Sequence, residues 1–265
     1  MKNRWIKLCE KLSATHADFY AHCRKILRNE SVVFPYAQWK PDLTLGDIGY
    51  TTNKLNRLIK DYRHVESHEK AIELWDHFTE RGSYSSASFT TYNHLVKAGA
   101  TSPSETIETR GPCLQSVVIT LIPVGRGERK SSIDVFYRTT EFFKKFPADL
   151  LLIDGLLKPF NFKTAPVESI NMHFSGITLH PMYSIVPAAL SDDPVDFFEK
   201  IKKSDIQFFR ECVSWNHKYL VTSQGITKFS QAIATQTKAL ESLKKNGNMH
   251  LIDYIKDEYK PKRKK

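Results

Sequence analysis

Four cysteines in 265 residues, Cys9, Cys23, Cys113 and Cys212, are too few and too scattered to build a disulfide framework. None of them forms a CxxC pair, so zinc-site spacing is missing as well and no metal is expected. No window approaches eighteen uninterrupted apolar residues, which argues against a membrane-spanning helix. The opening Met1-Lys2-Asn3-Arg4-Trp5 lacks the apolar run of a signal peptide, so a cytoplasmic location is expected. Walker, HExxH and GxSxG patterns are absent, and Gly125-Arg126-Gly127 is too short for a phosphate loop and reads as a hairpin turn. There are no internal repeats.

Negative charge is also in deficit. The formal net charge is +10, which favours anionic partners such as nucleic acid, acidic membrane or phosphorylated metabolites. Part of the excess is local. Lys260-Pro261-Lys262-Arg263-Lys264-Lys265 carries five positive charges and reads as a solvated tail, with polyanion or nucleic-acid contact as the alternative. Hydrophobic residues at 41% and aromatics at 12% place the chain among globular proteins with a substantial core.

Apolar spacing predicts helix over residues 5–28, loop over 31–50, and helices over 52–64 and 66–79, the last capped by Ser67. A strand is predicted over 83–92, followed by a polar loop over 97–111. The clearest pattern is a β-branched hairpin, with strands over 114–124 and 132–138. A helix interrupted near Pro147 is expected over 141–157, and a strand over 168–180. Beyond Ser191 the pattern is mostly helical. The expectation is one α/β (α+β) domain over 1–265: a mixed-sheet core over 1–190, a helical part over 191–255 and a basic tail over 256–265.

The chemistry-bearing feature is Gly111-Pro112-Cys113-Leu114, with Arg138 twenty-five residues later and Asp149 eleven residues beyond that. A cysteine is a useful nucleophile only as thiolate, and a neighbouring guanidinium favours that form. The hairpin can return Arg138 to the side of Cys113. By residue type alone, Cys113 reads first as a packed core thiol, the common fate of a free cysteine. His173, on the strand near His180, reads as a satisfied core histidine, with substrate binding in place of His180 as the alternative. Trp215-Asn216-His217-Lys218-Tyr219 reads as a partly buried amphipathic segment, with stacking on a nucleic-acid strand as the alternative.

Gly-Pro-Cys before a hairpin, then Arg138-Thr139-Thr140-Glu141-Phe142-Phe143 and Pro147-Ala148-Asp149, resembles the thymidylate synthase superfamily. That family carries Pro-Cys, then Arg-Ser-x-Asp-x-Phe, then Pro, then Asn or Asp. Arg138, Thr139, Glu141, Phe143, Pro147 and Asp149 match without a gap. The strand Gly176-Ile177-Thr178-Leu179-His180-Pro181-Met182-Tyr183 is similar to the family's Gly-x-x-His-x-Tyr, with one extra residue in each interval. Leu45-Gly46-Asp47-Ile48-Gly49-Tyr50 is faintly similar to its Leu-Gly-x-x-Tyr-Gly.

The resemblance implies a thymidylate synthase-like fold, a homodimer, and a pyrimidine nucleoside monophosphate as substrate. It implies Cys113 as nucleophile at C6, Arg138 on the phosphate and the thiolate, Thr139 as a substrate-binding residue, and His180 and Tyr183 on the sugar hydroxyl. Tyr50 and Glu141 would line the substrate site. Arg81 would answer to the arginines that reach a partner's phosphate site. An amide at position 149 suits uracil, whereas Asp149 suits cytosine: it accepts from the exocyclic amine and, when protonated, donates to N3. The implied reaction is C5 hydroxymethylation or methylation of a cytidine nucleotide, dCMP first, with 5,10-methylenetetrahydrofolate as carbon donor. The alternatives are a dUMP enzyme and a catalytically divergent binder of nucleotide or nucleic acid. The chain departs from the family at Leu114, where thymidylate synthases carry His, and in having one arginine at Arg81 instead of a pair. The proton-handling glutamate has no firm counterpart, with Glu10 as the candidate, and residues 191–265 show no resemblance.

Overall fold

Alternation of buried and exposed residues along Leu114–Gly125 makes that segment a strand with one face on a core. The computed structural model describes residues 2–17, 19–21, 24–35, 46, 49–82, 84–91, 113–125, 127–221 and 230–260. In chain order these give helix α1 (Lys2–Ala14), strands β1 (Phe19–Ala21) and β2 (Arg24–Pro35), helices α2 (Thr52–Tyr62) and α3 (Val65–Arg81), and strands β3 (Ser85–Thr90), β4 (Leu114–Gly125) and β5 (Glu128–Glu141). Helix α4 (Phe146–Leu157) and strand β6 (Val167–Leu179) follow. A 3-10 turn (Pro181–Tyr183) then leads to α5 (Ile185–Leu190), α6 (Pro194–Ser204), α7 (Ile206–Asn216), a π turn (His217–Val221), α8 (Ser230–Lys245) and α9 (His250–Glu258). No helix among the described residues is long and apolar enough to cross a membrane.

The strands form one six-stranded mixed sheet in the order β1-β2-β6-β5-β4-β3, antiparallel except between β5 and β6. The parallel pair needs a crossover, which α4 supplies. That helix is apolar nearly all round, with Phe146, Leu150, Ile153 and Leu156 buried, as a helix laid against a sheet requires. The α+β class and the helical part beyond Ser191 are as expected. The helices after Ser191 join the same core: Phe143 packs on Phe197 and Phe208, and the buried Lys25 of β2 pairs with Asp205 at 3.0 Å.

Four strands change inward parity at one level of the sheet. Buried positions run Lys25, Leu27 and then Val32, Phe34 in β2. They run Leu114 and then Val117 in β4, Tyr137 and then Thr140 in β5, and Phe174 and then Ile177 in β6. Asn29 has left-handed backbone (φ 55), and ladder pairing skips Asn29, Gln115, Arg138 and Ser175. Gln115 is a bulge of β4 against β5, while β2, β5 and β6 slip together and stay in register. In all four strands the following side chains therefore turn to the other face. This aligned crease puts Tyr137 and Thr140 on the same covered face although three residues separate them.

Several expectations are corrected. The helix predicted over 5–28 stops at Ala14, where Ser13 and Thr15 hydroxyls donate back to the carbonyls of Cys9 and Lys11. Beyond it lie β1 and β2, and β2 also takes residues 31–35 from the predicted loop. The slip at Asn29 had hidden the twofold period. The segment 141–157 is not an interrupted helix: β5 runs through Glu141, and Pro147 lies in the first turn of α4, where its missing N–H costs nothing. His64, not Ser67, caps α3, its Nδ1 accepting from the Ser67 N–H at 3.1 Å. Residues 256–258 of the predicted tail belong to α9. The 97–111 loop, Gly111-Pro112, Cys23 and residues 261–265 lie outside the described residues.

Candidate active site

Cys113 immediately precedes β4 and is half-buried against the edge of the core. Its carbonyl accepts from the Arg138 N–H at 2.7 Å, so the hairpin does join the two residues, but through the backbone. The Cys113 N–H faces the hydroxyl of Tyr62, the last residue of α2, at 3.4 Å. Although its charge still acts on the Tyr62 phenol and lowers it, the Arg138 side chain is exposed toward the other face. There it lines a cleft of about 390 Å³ at the crease with Asn29, Gln115, His173 and Ser175. Its guanidinium makes no hydrogen bond to the Cys113 thiol among the described residues.

Asp149 lies in the first turn of α4, and its Oδ2 accepts from the Thr140 hydroxyl at 2.6 Å. Its carboxyl is pushed up to about 7 by burial, against the opposing pull of the Thr140 hydroxyl and the Lys145 charge. Near neutral pH it is therefore present in both acid and carboxylate forms. Tyr137 is fully covered, and its phenol is raised by burial and then by the charge of Asp149, with Tyr62 and Cys113 adding. The Tyr137 hydroxyl is a buried polar atom with no hydrogen-bond partner among the described residues. Tyr62 is pushed up to about 12 by burial and then by Cys113. Cys113, Tyr62, Tyr137 and Asp149 thus form one electrostatic neighbourhood on the covered side.

Glu141 ends β5 beside it. Its Oε1 accepts from the His180 N–H at 3.2 Å and its Oε2 from the Lys144 N–H at 2.9 Å. Burial drives this carboxyl up to about 7 despite those donors. His180 caps the 3-10 turn through Nδ1, accepting from the Met182 N–H at 3.2 Å. Burial, then the Arg24 charge, lowers His180 to about 4, so it is a neutral imidazole at pH 7. Its ring packs on Tyr183 and Trp215, with centroids 5.5 and 5.6 Å away. Tyr183 is pushed up to about 12 by burial and then by Glu141. Tyr50 is buried, and its phenol is raised by burial and then by Asp149 and Glu141.

Cys113, Asp149, Glu141, His180, Tyr183 and Tyr50 are therefore neighbours. Thr139 pairs with Gly176 of β6, next to the crease. Glu10 is not brought to the cluster: it is ion-paired with Lys200 of α6 at 3.1 Å. Arg81 does not enter a strand; it ends α3. Gly82, its neighbour, lies against the guanidinium of Arg129, which pairs with Pro123 near the hairpin tip. That is nine residues along β4 from Leu114, roughly 30 Å away at strand rise. His173 lies on the open face, with Nδ1 3.1 Å from the Ser31 hydroxyl and Nε2 3.0 Å from Asp134.

Sequence reasoning missed Tyr62, Tyr137, Thr140, Lys54, Lys144 and Trp215 as neighbours of the site. Tyr137 and Thr140 stand within the motif itself, but only the parity slip between them turns both inward. Tyr62 and Trp215 arrive through tertiary packing and left no local signal.

No family model matches this chain, and no curated protein sequence does. Among solved structures it is similar to the thymidylate synthase of T4 phage, at 9% identity and a TM-score of 0.42, over 67% of this chain and 76% of that one.

Proposed function

We propose that the chain is a one-carbon transferase acting at C5 of a cytidine nucleotide, dCMP first, with Cys113 as nucleophile. The observation that carries the reading is the convergence of Cys113, the unpartnered Tyr137 hydroxyl and an Asp149 carboxyl poised at about 7. A neutral carboxylic acid offers both an O–H donor and a carbonyl acceptor, which is the pattern that cytosine N3 and its exocyclic amine require.

The chemistry follows from electron flow. The Cys113 sulfur forms a bond to C6, and the C5–C6 π pair moves into the ring, building charge at N3 and carbanion character at C5. The Asp149 proton sits where the N3 charge develops. C5 then forms a bond to the one-carbon unit and loses its proton to a base. The carrier amine departs with the electrons of its bond to that carbon and takes up a proton. Water adds to the exocyclic carbon and gives up a proton, and the sulfur leaves C6 as the ring double bond returns. Dividing the substitution into these steps is what a covalent nucleophile provides. Glu141, held at about 7 by burial, replaces Glu10 as the proton-handling group, because its protonation state can change near neutral pH.

Methylenetetrahydrofolate would supply the carbon at the formaldehyde level. The residues present fit a planar heterocycle: Tyr183 and Trp215 are half-buried aromatics beside Glu141, whose carboxyl suits a ring N–H. A homodimer belongs to the same proposal. Arg138 would meet the nucleotide phosphate from the open face.

The test is tritium release from C5-labelled dCMP and dUMP, with and without the folate. The expected result is release from dCMP, dependent on folate and lost to background in Cys113→Ala. Release from dUMP alone selects the uridylate alternative. Binding of dCMP without release, unchanged in Cys113→Ala, sinks the enzymatic reading in favour of a nucleotide-binding protein.

A further inference from the structure

A carboxylic acid by itself does not choose between the two pyrimidine edges. Cytosine presents an acceptor at N3 beside a donor amine, and uracil presents a donor at N3 beside an acceptor oxygen. A neutral acid matches either edge, depending on which of its two oxygens carries the proton. Asp149 therefore discriminates only if something fixes that proton. The crease turns Thr140 to the covered face, opposite the first turn of α4 where Asp149 stands. The Thr140 hydroxyl donates to Asp149 Oδ2 at 2.6 Å, and Thr140 is only 4% exposed, so the bond is sheltered from water. The Asp149 N–H, bonded to the Lys145 carbonyl at 3.0 Å, fixes the backbone behind it. Oδ1 has no hydrogen bond among the described residues. Asp149 is half-buried, and Oδ1 is not among the sealed polar atoms left without partners, so this oxygen opens toward the site.

We propose that Thr140 is a positioning residue that locks the Asp149 carboxyl in one donor–acceptor polarity, with the acid proton on Oδ1, and so sets which pyrimidine edge the site accepts. The inference rests on the proposed pyrimidine site and deepens it. An oxygen that receives the hydroxyl proton is the acceptor of the pair. A proton on Oδ2 would instead be spent on the Thr140 oxygen. Thr140 makes no other side-chain hydrogen bond among the described residues, so that arrangement leaves its own hydroxyl proton buried and unpaired. Oδ2 keeps a second lone pair for an N–H of the ligand, and Oδ1 supplies the O–H. With Oδ1 toward N3 and Oδ2 toward the exocyclic amine, cytosine is matched at both atoms. Uracil then sets its N3–H against the Oδ1 proton and its O4 against an Oδ2 lone pair, two mismatches in a covered site. The other groups around this carboxyl do not fix its proton. Lys145, Tyr137, Tyr62 and Tyr50 couple to it through charge, but none is hydrogen-bonded to it among the described residues.

Thr140→Val removes the hydroxyl and keeps the shape, Thr140→Ala removes it by a second route, and Thr140→Ser keeps it. Each fold is checked by circular dichroism, and C5 tritium release gives kcat/KM for dCMP and dUMP. In the hydroxyl-free variants the wild-type preference should fall about tenfold to a hundredfold, chiefly through a gain for the disfavoured nucleotide, because the two carboxyl oxygens can then exchange roles. A merely structural role would lower both nucleotides together. Thr140→Ser should retain the preference. A preference unchanged in both hydroxyl-free variants, or lost equally in Thr140→Ser, overturns the inference.

A second arm needs no nucleotide and follows the Asp149 carboxyl by carbon-13 NMR. A hydroxyl that donates to a carboxylate favours its charged form, so removing it should raise the titration midpoint in Thr140→Val and not in Thr140→Ser. No rise in Thr140→Val means that the hydroxyl does not hold the carboxyl, and the inference falls whatever the substrate. The nucleotide outcomes separate the inference from the reading beneath it. A wild type that prefers dUMP, with that preference relaxed in Thr140→Val, removes the cytidylate reading and leaves the lock standing with the carboxyl turned the other way. A dCMP preference shared equally by wild type and Thr140→Val removes the lock alone. A wild type that binds neither nucleotide removes both.

Discussion

The two faces of the sheet share the same strands but handle polar groups by opposite means. On the open face, His173 bridges Ser31 and Asp134, Asn171 donates to Asp134 at 3.1 Å, and Phe136 stacks on His173 with centroids 4.9 Å apart. These groups are partly solvated and satisfy one another. On the covered face, Asp149 and Glu141 are desolvated and held near 7, and the Tyr137 hydroxyl is left without a partner. A network that closes on itself needs no ligand. A buried set with an orphaned donor and carboxyls far above their ordinary range bears an energetic cost that a bound substrate can offset. The proposed reading therefore puts its chemistry on the covered side, where the aligned change of parity turns both Tyr137 and Thr140 inward.

The most demanding trial of this contrast is Asp149→Asn. If the carboxyl reads the base, exchanging it for an amide leaves cytosine with a mismatched edge and gives uracil a matched one. The ratio of kcat/KM for dCMP over dUMP should fall by roughly 10² to 10⁴. An unchanged ratio would mean that Asp149 is a structural acid at the start of α4.

Next comes a charge on the covered side that has no part in the proposed site. Lys25 is fully buried, donating to the Ser13 carbonyl at 2.6 Å and pairing with Asp205 at 3.0 Å. Asp205→Asn strands the ammonium in the interior while preserving an oxygen that can cap α7. The expected cost is about 3 kcal/mol in urea unfolding. A loss below about 1 kcal/mol would show that water reaches Lys25, and that the covered face is less dry than its acids indicate.

A smaller effect comes from pH. Asp149 and Glu141 have folded-state values near 7, above ordinary carboxylate values of 3.8 and 4.5. The folded state therefore binds protons more tightly than the unfolded chain, and stability falls as pH rises through 7. Between pH 6 and 8 each carboxyl accounts for about 1.4 kcal/mol. The slope should flatten in Asp149→Asn and again in the double variant with Glu141→Gln. A slope that survives both substitutions would assign it to other groups, histidines first.

Legibility in the sequence divides along the same line. The hairpin was readable because β4 and β5 are β-branched and alternate on either side of Gly125 and Gly127, whose positive φ suits a turn. The spacing of Cys113, Arg138 and Asp149 was readable because it lies within one strand–turn–helix unit. The fate of the Arg138 side chain was not. One slipped residue sends it to the open face, and period-two reasoning has no marker for a bulge that lacks glycine. The same blindness turned β2 into a predicted helix. Lys54, Tyr62 and Trp215 reach the site from α2 and α7 by packing, and nothing local to those segments announces it.

The smallest expected effect is at His173, and it tests the open side of the contrast directly. The His173 and Asp134 side chains are 37% and 30% exposed, so their contact is largely screened by water. His173→Gln should cost between about 0 and 1 kcal/mol and leave kcat/KM for dCMP unchanged. The informative result is a larger one. A loss above about 2 kcal/mol that shrinks on dilution would mean that the face is covered in solution by a second copy of the chain, because only desolvation can raise the worth of such a network so far. The proposed homodimer would then have its interface, and Arg138 would approach the nucleotide from within it instead of from open water.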